Sequence, residues 1–507
     1  MLAARLASTA AAIGVLTWVS RRVGTSWTRP PHDHVCVTKQ QSEAAAAARV
    51  AAGLGRRKRT ELLTLMKPVF TRTEAWLHAG KYTAAVMSDL PRRNGWTIAK
   101  LIGDKTPDRT QRLLSRACWD EAAAMSCVRR FAVTGLDQAA RRSGRTRGLA
   151  VGALDETGQE KHGTATAGVQ RQHMGCAGGA ENGINTVHLS YVREGTGHAL
   201  IGARQWIPAG QIADPVRSLT MALPLDLQLA TRGQLARAIV CDAPGDGVMA
   251  DFVCGDEVCG SCTQLRDYLE EQHQAYVLRV PSSFRVTLAR GVTLTCAQAV
   301  RRLCASGRRW EIRSAGKGSK GERWYARACI ATSSPRHCLL IRRHLRTGEL
   351  AFRYCHVPEG QSAGMTRLIR AAGLRWPAGE DFEFAKDGLG LDQSQVRLYH
   401  AILRHTILVM AALAVCAVTA AHLRERTSTQ APIPVHPGQR PPADPGMIAL
   451  TIPEVRRLIA ATARPSPPGH TEHWSGWTRS HQARARWFHH RARLARDQNL
   501  TLKPLAS

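Results

Sequence analysis

Two aspartates in this sequence close short apolar runs, and carboxylates so placed can hold a divalent cation. The run Gly148–Leu154 (GLAVGAL) ends at Asp155 and is followed by the polar Glu156-Thr157-Gly158. Its length and polar boundary predict a buried central strand with Asp155 at the lip of a cleft. The run Val248–Cys254 predicts a second buried strand, and Asp256 follows it. Asp242 also follows apolar residues, Ala238–Cys241. That segment, however, reads as a helix from Gly233 to about Ala243, so Asp256 is the better partner. Mg²⁺ prefers carboxylate oxygens and keeps part of its water shell, so a few acidic side chains on rigid elements suffice. Two such ions about 4 Å apart stabilise the attacking and leaving oxygens of an in-line displacement at phosphorus. An acid pair of this kind could support metal-dependent chemistry at a phosphate, with Mg²⁺ or Mn²⁺ as the ion.

The bulk composition fits such a substrate. The chain has 507 residues, which predicts two to four domains, and a net charge of +31, which favours a polyanionic partner. Fourteen cysteines are scattered without the spacing of a disulfide framework, as expected of a reducing compartment. Cys254, Cys259 and Cys262 form a CxxxxCxxC run, but no second pair follows nearby, so small buried side chains are the expected reading. Leu6–Val19 has the outline of a weak signal segment, interrupted by Ser8 and Thr9. Thr406–Ala421 is too short to cross a bilayer, which takes about 20 apolar residues, and reads as a buried core helix.

These boundaries divide the chain into seven parts. Residues 1–57 are Ala-rich and end at the basic Arg56-Arg57-Lys58-Arg59, as expected of a poorly ordered extension. Residues 58–146 are helical in pattern, with Thr106 as the expected cap of a helix that has Pro107 at its first position. Residues 147–281 predict strands at 148–154, 185–192, 198–206, 248–254 and 275–280, with helices at 233–243 and 262–272. Three strands followed by alternating helix and strand predict a mixed α/β sheet. Residues 282–358 predict a β-rich insertion with strands at 322–331, 337–343 and 349–357. Within it Lys317, Lys320 and Arg323 are candidate phosphate clamps. Residues 359–424 return to the core, and 425–470, with ten prolines between Pro432 and Pro468, read as a linker. Residues 471–507 form a basic tail that alternates Trp474, Trp477, Trp487 and Phe488 with arginines such as Arg479. Phosphate tracking suits the arginines; Trp487 is expected to pack against a domain.

The stretch Arg375–Arg397 (RWPAGEDFEFAKDGLGLDQSQVR) resembles the carboxylate-bearing helix of bacterial insertion-sequence transposases of the DDE, RNase H-like class. That helix carries a Tyr-Arg-Glu-Lys signature at spacings of three, four and seven. Ala372, Arg375, Gly379 and Lys386 occupy those positions. DETGQEKHGTATAGVQRQ from Asp155, with Lys161, and FVCGDEVCGSC around Asp256 resemble the first two motifs of the class. The resemblance, over roughly residues 60–424, implies an RNase H-like mixed sheet with a β-rich insertion, preceded by a helical DNA-handling domain. It implies catalytic and metal-ligating roles for Asp155, Asp256 and a third carboxylate. The third slot is Gly379, so Glu380, normally the neighbour of the ligand, is the provisional substitute. It also implies DNA contacts from Lys161, Arg375, Lys386 and Arg397. The expected function is metal-dependent cleavage and transfer of DNA strands at the terminal inverted repeats of an insertion sequence. A homodimer with two Mg²⁺ ions at each site is expected, acting on target DNA in the cytoplasm at the nucleoid, with no membrane partner. The alternative expectation is an inactive, DNA-binding relic.

Overall fold

A computed structural model describes residues 39–104, 106–305, 310–318, 321–361, 363–461 and 470–501. The chain opens with α1 (Lys39–Met66), so residues 39–57 of the expected loose extension are helical; residues 1–38, including Leu6–Val19, lie outside the described residues. Then follow α2 (Thr73–Val86), α3 (Gly95–Leu101), α4 (Asp108–Ser115) and α5 (Glu121–Arg142). Asn94 starts α3 with a capping box, accepting from the Trp96 and Thr97 backbone amides. The start of α4 differs from expectation. Pro107 is its N-cap and the Thr106 hydroxyl donates to Asp108 Oδ2 instead of capping.

The sheet begins with β1 (Ala150–Glu160), β2 (Gln170–Met174), β3 (Gly179–Arg193) and β4 (Gly197–Trp206). Helices α6 (Ala209–Ile212), α7 (Pro215–Thr220) and α8 (Arg232–Asp242) lead to β5 (Phe252–Gly255). Next come α9 (Glu257–Ser261), α10 (Thr263–Glu271) and β6 (Tyr276–Val280). β1 pairs antiparallel with β3, β3 with β4, and β1 pairs parallel with β5, which pairs parallel with β6. This is the expected mixed α/β sheet.

The insertion comprises β7 (Arg285–Thr287), β8 (Thr293–Thr295), α11 (Cys296–Ala305), β9 (Glu311–Gly318), β10 (Gly321–Ala331), β11 (His337–Arg343) and β12 (Leu350–His356). Its last four strands do not form a separate body. β12 pairs with β6 and the order runs β2-β3-β1-β5-β6-β12-β11-β10-β9, with β4 also on β3, giving one ten-stranded sheet. Helices α12 (Met365–Gly373) and α13 (Trp376–Leu389) then cover one face of β1 and its neighbours.

α14 (Tyr399–Thr427) is the apolar axis of the molecule. It is longer than the sequence suggested and long enough by composition to span a bilayer, but 94% of its most apolar window is buried among protein elements. It packs on α1, α2, α4, α5 and β4, the arrangement of a core helix. The proline-rich stretch read as a linker includes α15 (Ile452–Ala461), which buries Val455, Leu458 and Ile459 against α1 and α14. In the tail, α16 (His470–Thr501) lies along α1. Arg479 is 1% exposed and donates to the Ile448 and Thr427 carbonyls, so it is a structural strut and not a free phosphate contact. Trp487 is buried, as expected; the side chains of Trp474 and Trp477 lie outside the described residues. Every described cysteine is free.

Close approach of α5 to α14 requires Gly135, because a Cβ there would lie 2.6 Å from Val418 Cγ1. Gly to Ala inside a helix ordinarily stabilises by about 1 kcal/mol. Here overpacking reverses the sign: Gly135→Ala is expected to lower stability by about 1–3 kcal/mol in urea denaturation. Val418→Ala in the same chain should recover part of that loss.

Candidate active site

β1, β5 and β6 alternate between two faces, and the face toward α12 and α13 buries Val151 and Ala153, Phe252 and Cys254, Ala275 and Val277. Ala153 is level with Cys254, and Cys254 with Val277. Two residues further along each chain, on the same face, stand Asp155, Asp256 and Arg279. The pattern continues across the insertion. Arg353 on β12 is level with Arg279, and Leu340 on β11 is level with Arg353. One pleat beyond Leu340 is Arg342, which is level with Arg327 on β10. A single row of charge therefore crosses six strands: two carboxylates, then four guanidinium groups.

The acid end of this row is tightly coupled. Burial pushes the Asp155 carboxyl above its ordinary range, the Arg375 charge opposes that, and the Asp256 charge adds to it. Arg375 Nη2 lies 2.8 Å from Asp155 Oδ2. Asp256 ends the strand and caps α9, accepting from the Cys259 amide at 3.0 Å. Asp242 is elsewhere, at the end of α8, paired with Arg204 at 2.6 Å. The donor set at Asp155 and Asp256 is hard oxygen, which fits Mg²⁺ or Mn²⁺; a cation there would relieve the repulsion between the two carboxylates.

α13 presents a stripe to β1. Arg375 reaches Asp155, and Lys386 donates to the Gly158 carbonyl at 2.9 Å. At 100° per residue, Gly379 lies within roughly 40° of both on the helix circumference. Phe382, on the same stripe, packs edge-on to His188, which is paired with Asp155 across β1 and β3. Gly379, the expected position of a third carboxylate, thus lies on the stripe turned to β1, and a Cβ there would meet nothing within 4 Å. Glu380, about 100° further round, is directed elsewhere: its Oε2 is 3.5 Å from His198 Nε2 on β4. The neighbouring Asp381 is 1% exposed and accepts from Ser190 Oγ at 2.6 Å and His198 Nδ1 at 2.8 Å. Burial disfavours charge on His198, but the Asp381 and Glu380 carboxylates prevail and raise its pKa to about 10. Asp155 and Asp256 are thus brought together, whereas Glu380, half exposed, is drawn to His198 on β4, two strands from β1.

The basic residues divide in the same way. Arg375 and Lys386 line β1 at the acid pair, while Lys161 is 9% exposed and donates to the Ser394 carbonyl at 2.6 Å. Burial lowers the Lys161 pKa to about 8. Arg397 is exposed. Arg323 donates to the Ala315 carbonyl and lies over the Trp376 ring; Lys320 and the Lys317 side chain lie outside the described residues.

Sequence reasoning missed several groups. Glu156, beside Asp155, pairs with Arg232 at 2.7 Å; burial raises its carboxyl, and the Asp256 charge adds to that. The arginine row was also missed. Arg327 is 2% exposed, and its Nε and Nη1 have no hydrogen-bond partner among the described residues. Burial, together with the charges of Arg353 and Arg342, lowers its pKa to about 9; burial and Arg342 bring Arg353 to about 10. The alternating pattern Val277–Arg279 and Arg353–Cys355 was the available signal, but the strand order was needed to join its parts.

Comparison with known proteins gives a family-model match over part of the chain and a distant structural likeness. A family model described as DDE superfamily endonuclease matches residues 65–309, which include Asp155 and Asp256 but not α13. No curated protein matches the chain. Among solved structures, the cryo-EM structure of the piggyBac transposase synaptic complex with hairpin DNA matches 85% of this chain and 81% of that chain. Identity is 10% and the TM-score is 0.35.

Two measurements test this electrostatic account. A buried cation that meets other guanidinium groups and has the Tyr325 ring, 5.1 Å away, as its counterpart opposes folding, so Arg327→Met is expected to raise stability by about 1 kcal/mol or more in chemical denaturation. A loss of stability would show that the guanidinium is already satisfied. For His198, the raised folded-state pKa means its stabilisation is complete below the ordinary histidine value and fades as pH rises toward about 10. Native protein should therefore exceed His198→Gln in stability at pH 6, and the difference should shrink at alkaline pH.

Proposed function

We propose that this chain is a DNA transposase that binds the ends of an insertion sequence and cleaves and transfers its strands. The observation that supports it is the row Asp155, Asp256, Arg279, Arg353, Arg342 and Arg327 on one sheet face. Carboxylates at one end suit a reacting phosphodiester with its metal ions, and guanidinium groups beyond them suit the phosphates of the same strand. The match to DDE superfamily endonucleases agrees with this chemistry.

In this reading Asp155 and Asp256 hold Mg²⁺, with Mn²⁺ able to replace it. The ion, when bound, lowers the cost of charge on the attacking and leaving oxygens. Arg375 orients Asp155 and neutralises it before DNA arrives. Arg279 and Arg342, the members of the row that reach the surface, guide the strand so that its scissile phosphate lies over the acid pair, and the desolvated Arg353 and Arg327 add positive potential behind them. Lys386 and Arg397 extend the basic track, and Lys161 supports the loop at Ser394. The chain works as a homodimer that pairs two terminal inverted repeats, in the cytoplasm at the nucleoid.

A second reading has a specific observation behind it. Gly379 faces Asp155 where the signature would supply a carboxylate, and Glu380 is engaged by His198. The chain would then occupy DNA ends without cutting them. Restoring the residue separates the two readings, since the open space at Gly379 accepts a side chain. Under the silent reading, Gly379→Glu gains Mg²⁺-dependent nicking of DNA carrying the element's ends, and the native chain has none. Under the leading reading, the native chain cleaves already. Asp155→Ala and Asp256→Ala should each cut the rate of the competent form by about 10³-fold or more while leaving end binding in gel-shift assays. Unchanged cleavage by Asp256→Ala would remove it from the site.

A further inference from the structure

On the opposite face of the sheet, at the other end of β6 from Arg279, three metal-ligating side chains converge from separate elements. Glu270 ends α10, His337 begins β11 and His356 ends β12, and each offers a ligand atom within 4.8 Å of the others. β11 and β12 fix the two histidines, since His337 and His356 are directly paired in register. Their rings are tilted, with centroids 4.8 Å apart.

The surrounding contacts orient these groups as a ligand set. Glu270 Oε1 accepts from the Tyr276 hydroxyl at 2.7 Å and lies 3.0 Å from His337 Nε2. His337 Nδ1 lies 2.9 Å from Ser334 Oγ. His356 is 3% exposed and its Nδ1 is buried without a hydrogen-bond partner, while the ring interacts with the Gln274 backbone. A ligating histidine almost always bonds its second nitrogen to a carbonyl, carboxylate or water, which leaves the first free for the metal. An ordinary Glu–His ion pair would explain Glu270 and His337, but it leaves His356 Nδ1 unaccounted for.

We propose that Glu270, His337 and His356 bind one Zn²⁺ ion, which ties α10 of the core to the β11–β12 edge of the insertion. Two imidazoles and one carboxylate suit Zn²⁺, whereas Mg²⁺ and Ca²⁺ favour oxygen alone. Bonds of about 2.0–2.1 Å in a tetrahedron set ligand atoms roughly 3.3 Å apart. Glu270 and His337 already stand near that separation, and the third ligand closes by no more than about 1.5 Å. The Glu270 side chain is 34% exposed, which gives the ion an entry path and a water the fourth position. This site is separate from the acid pair and independent of the transposase reading.

The test uses full-length protein stripped with a chelator and titrated with Zn²⁺ against a chromophoric competitor. Native protein is expected to bind one equivalent more than His356→Gln or Glu270→Gln, and Co²⁺ in that site should give visible bands of tetrahedral type. Tyr276→Phe should weaken Zn²⁺ by about 10–100-fold. Zn²⁺ should raise the melting temperature of native protein and not that of His356→Gln. Equal stoichiometry and affinity in native, His356→Gln and Glu270→Gln proteins would overturn the site, as would the absence of any Zn²⁺ binding by the native chain. Glu270→Gln, at a partly exposed position, decides the matter should His356→Gln fail to fold.

Discussion

The pleat shared by six neighbouring strands constrains everything built at the candidate site. On the α12–α13 face each strand changes from apolar to charged at nearly the same level: Ala153 to Asp155, Cys254 to Asp256, Val277 to Arg279, Cys355 to Arg353, Leu340 to Arg342, and Cys329 to Arg327. Apart from the exposed Cys329, the apolar members form one core cluster with Leu368, Ile369 and Ala378 of the covering helices. That cluster fixes the register, because a slip of one residue would exchange Val151 and Ala153 for Ala150, Gly152 and Leu154 of the opposite core and carry Asp155 to the other face. The core is thus what holds acids and arginines on one surface, although they come from segments as distant as Asp155 and Arg353.

Electrostatics explain why such a row is costly and what relieves the cost. Arg327 and Arg353 are desolvated and repel one another, and no described carboxylate pairs with either. Asp155 and Asp256 repel in turn, with Arg375 compensating one of them. A polynucleotide with its divalent ions supplies both missing charges at once, negative over the arginines and positive over the acids. On the proposed reading, part of such a ligand's binding energy would come from relieving the repulsion at Arg327 and Arg353, since Arg279 and Arg342 are already paired with Glu257 and Glu349.

Much of the sheet was legible in the sequence because buried strands betray themselves by short apolar runs. β4, β6, β10, β11 and β12 lie close to the predicted spans; β1 runs on through the expected turn to Glu160, so Asp155 is inside the strand, β3 starts six residues early, and β5 is only the end of its predicted run. β2 was not seen: QRQHM is mostly polar and pairs only with the start of β3. The union of core and insertion into one sheet was hidden as well, because pairing between β6 and β12 joins residues more than seventy positions apart. The arginine row was hidden for the same reason, and also because single arginines are unremarkable in a chain of charge +31. The helical fate of residues 39–57 and of α15 depends on docking against α14, a tertiary gain that local composition does not reveal.

The third carboxylate shows how fine the remaining distinction is. Glu380 and Gly379 are adjacent in sequence, yet the helix sends one toward His198 on β4 and the other toward Asp155 on β1. Moving the acid by one position cannot be absorbed by rotating α13. Arg375, Phe382 and Lys386 hold its stripe to β1 and β3, and Asp381 is fixed by Ser190 and His198. The helix is therefore locked in the orientation that a Glu at 379 would use, with space left open there. The supporting contacts leave the Gly379 position open toward β1, and on the proposed reading a single side chain there separates a two-carboxylate from a three-carboxylate centre.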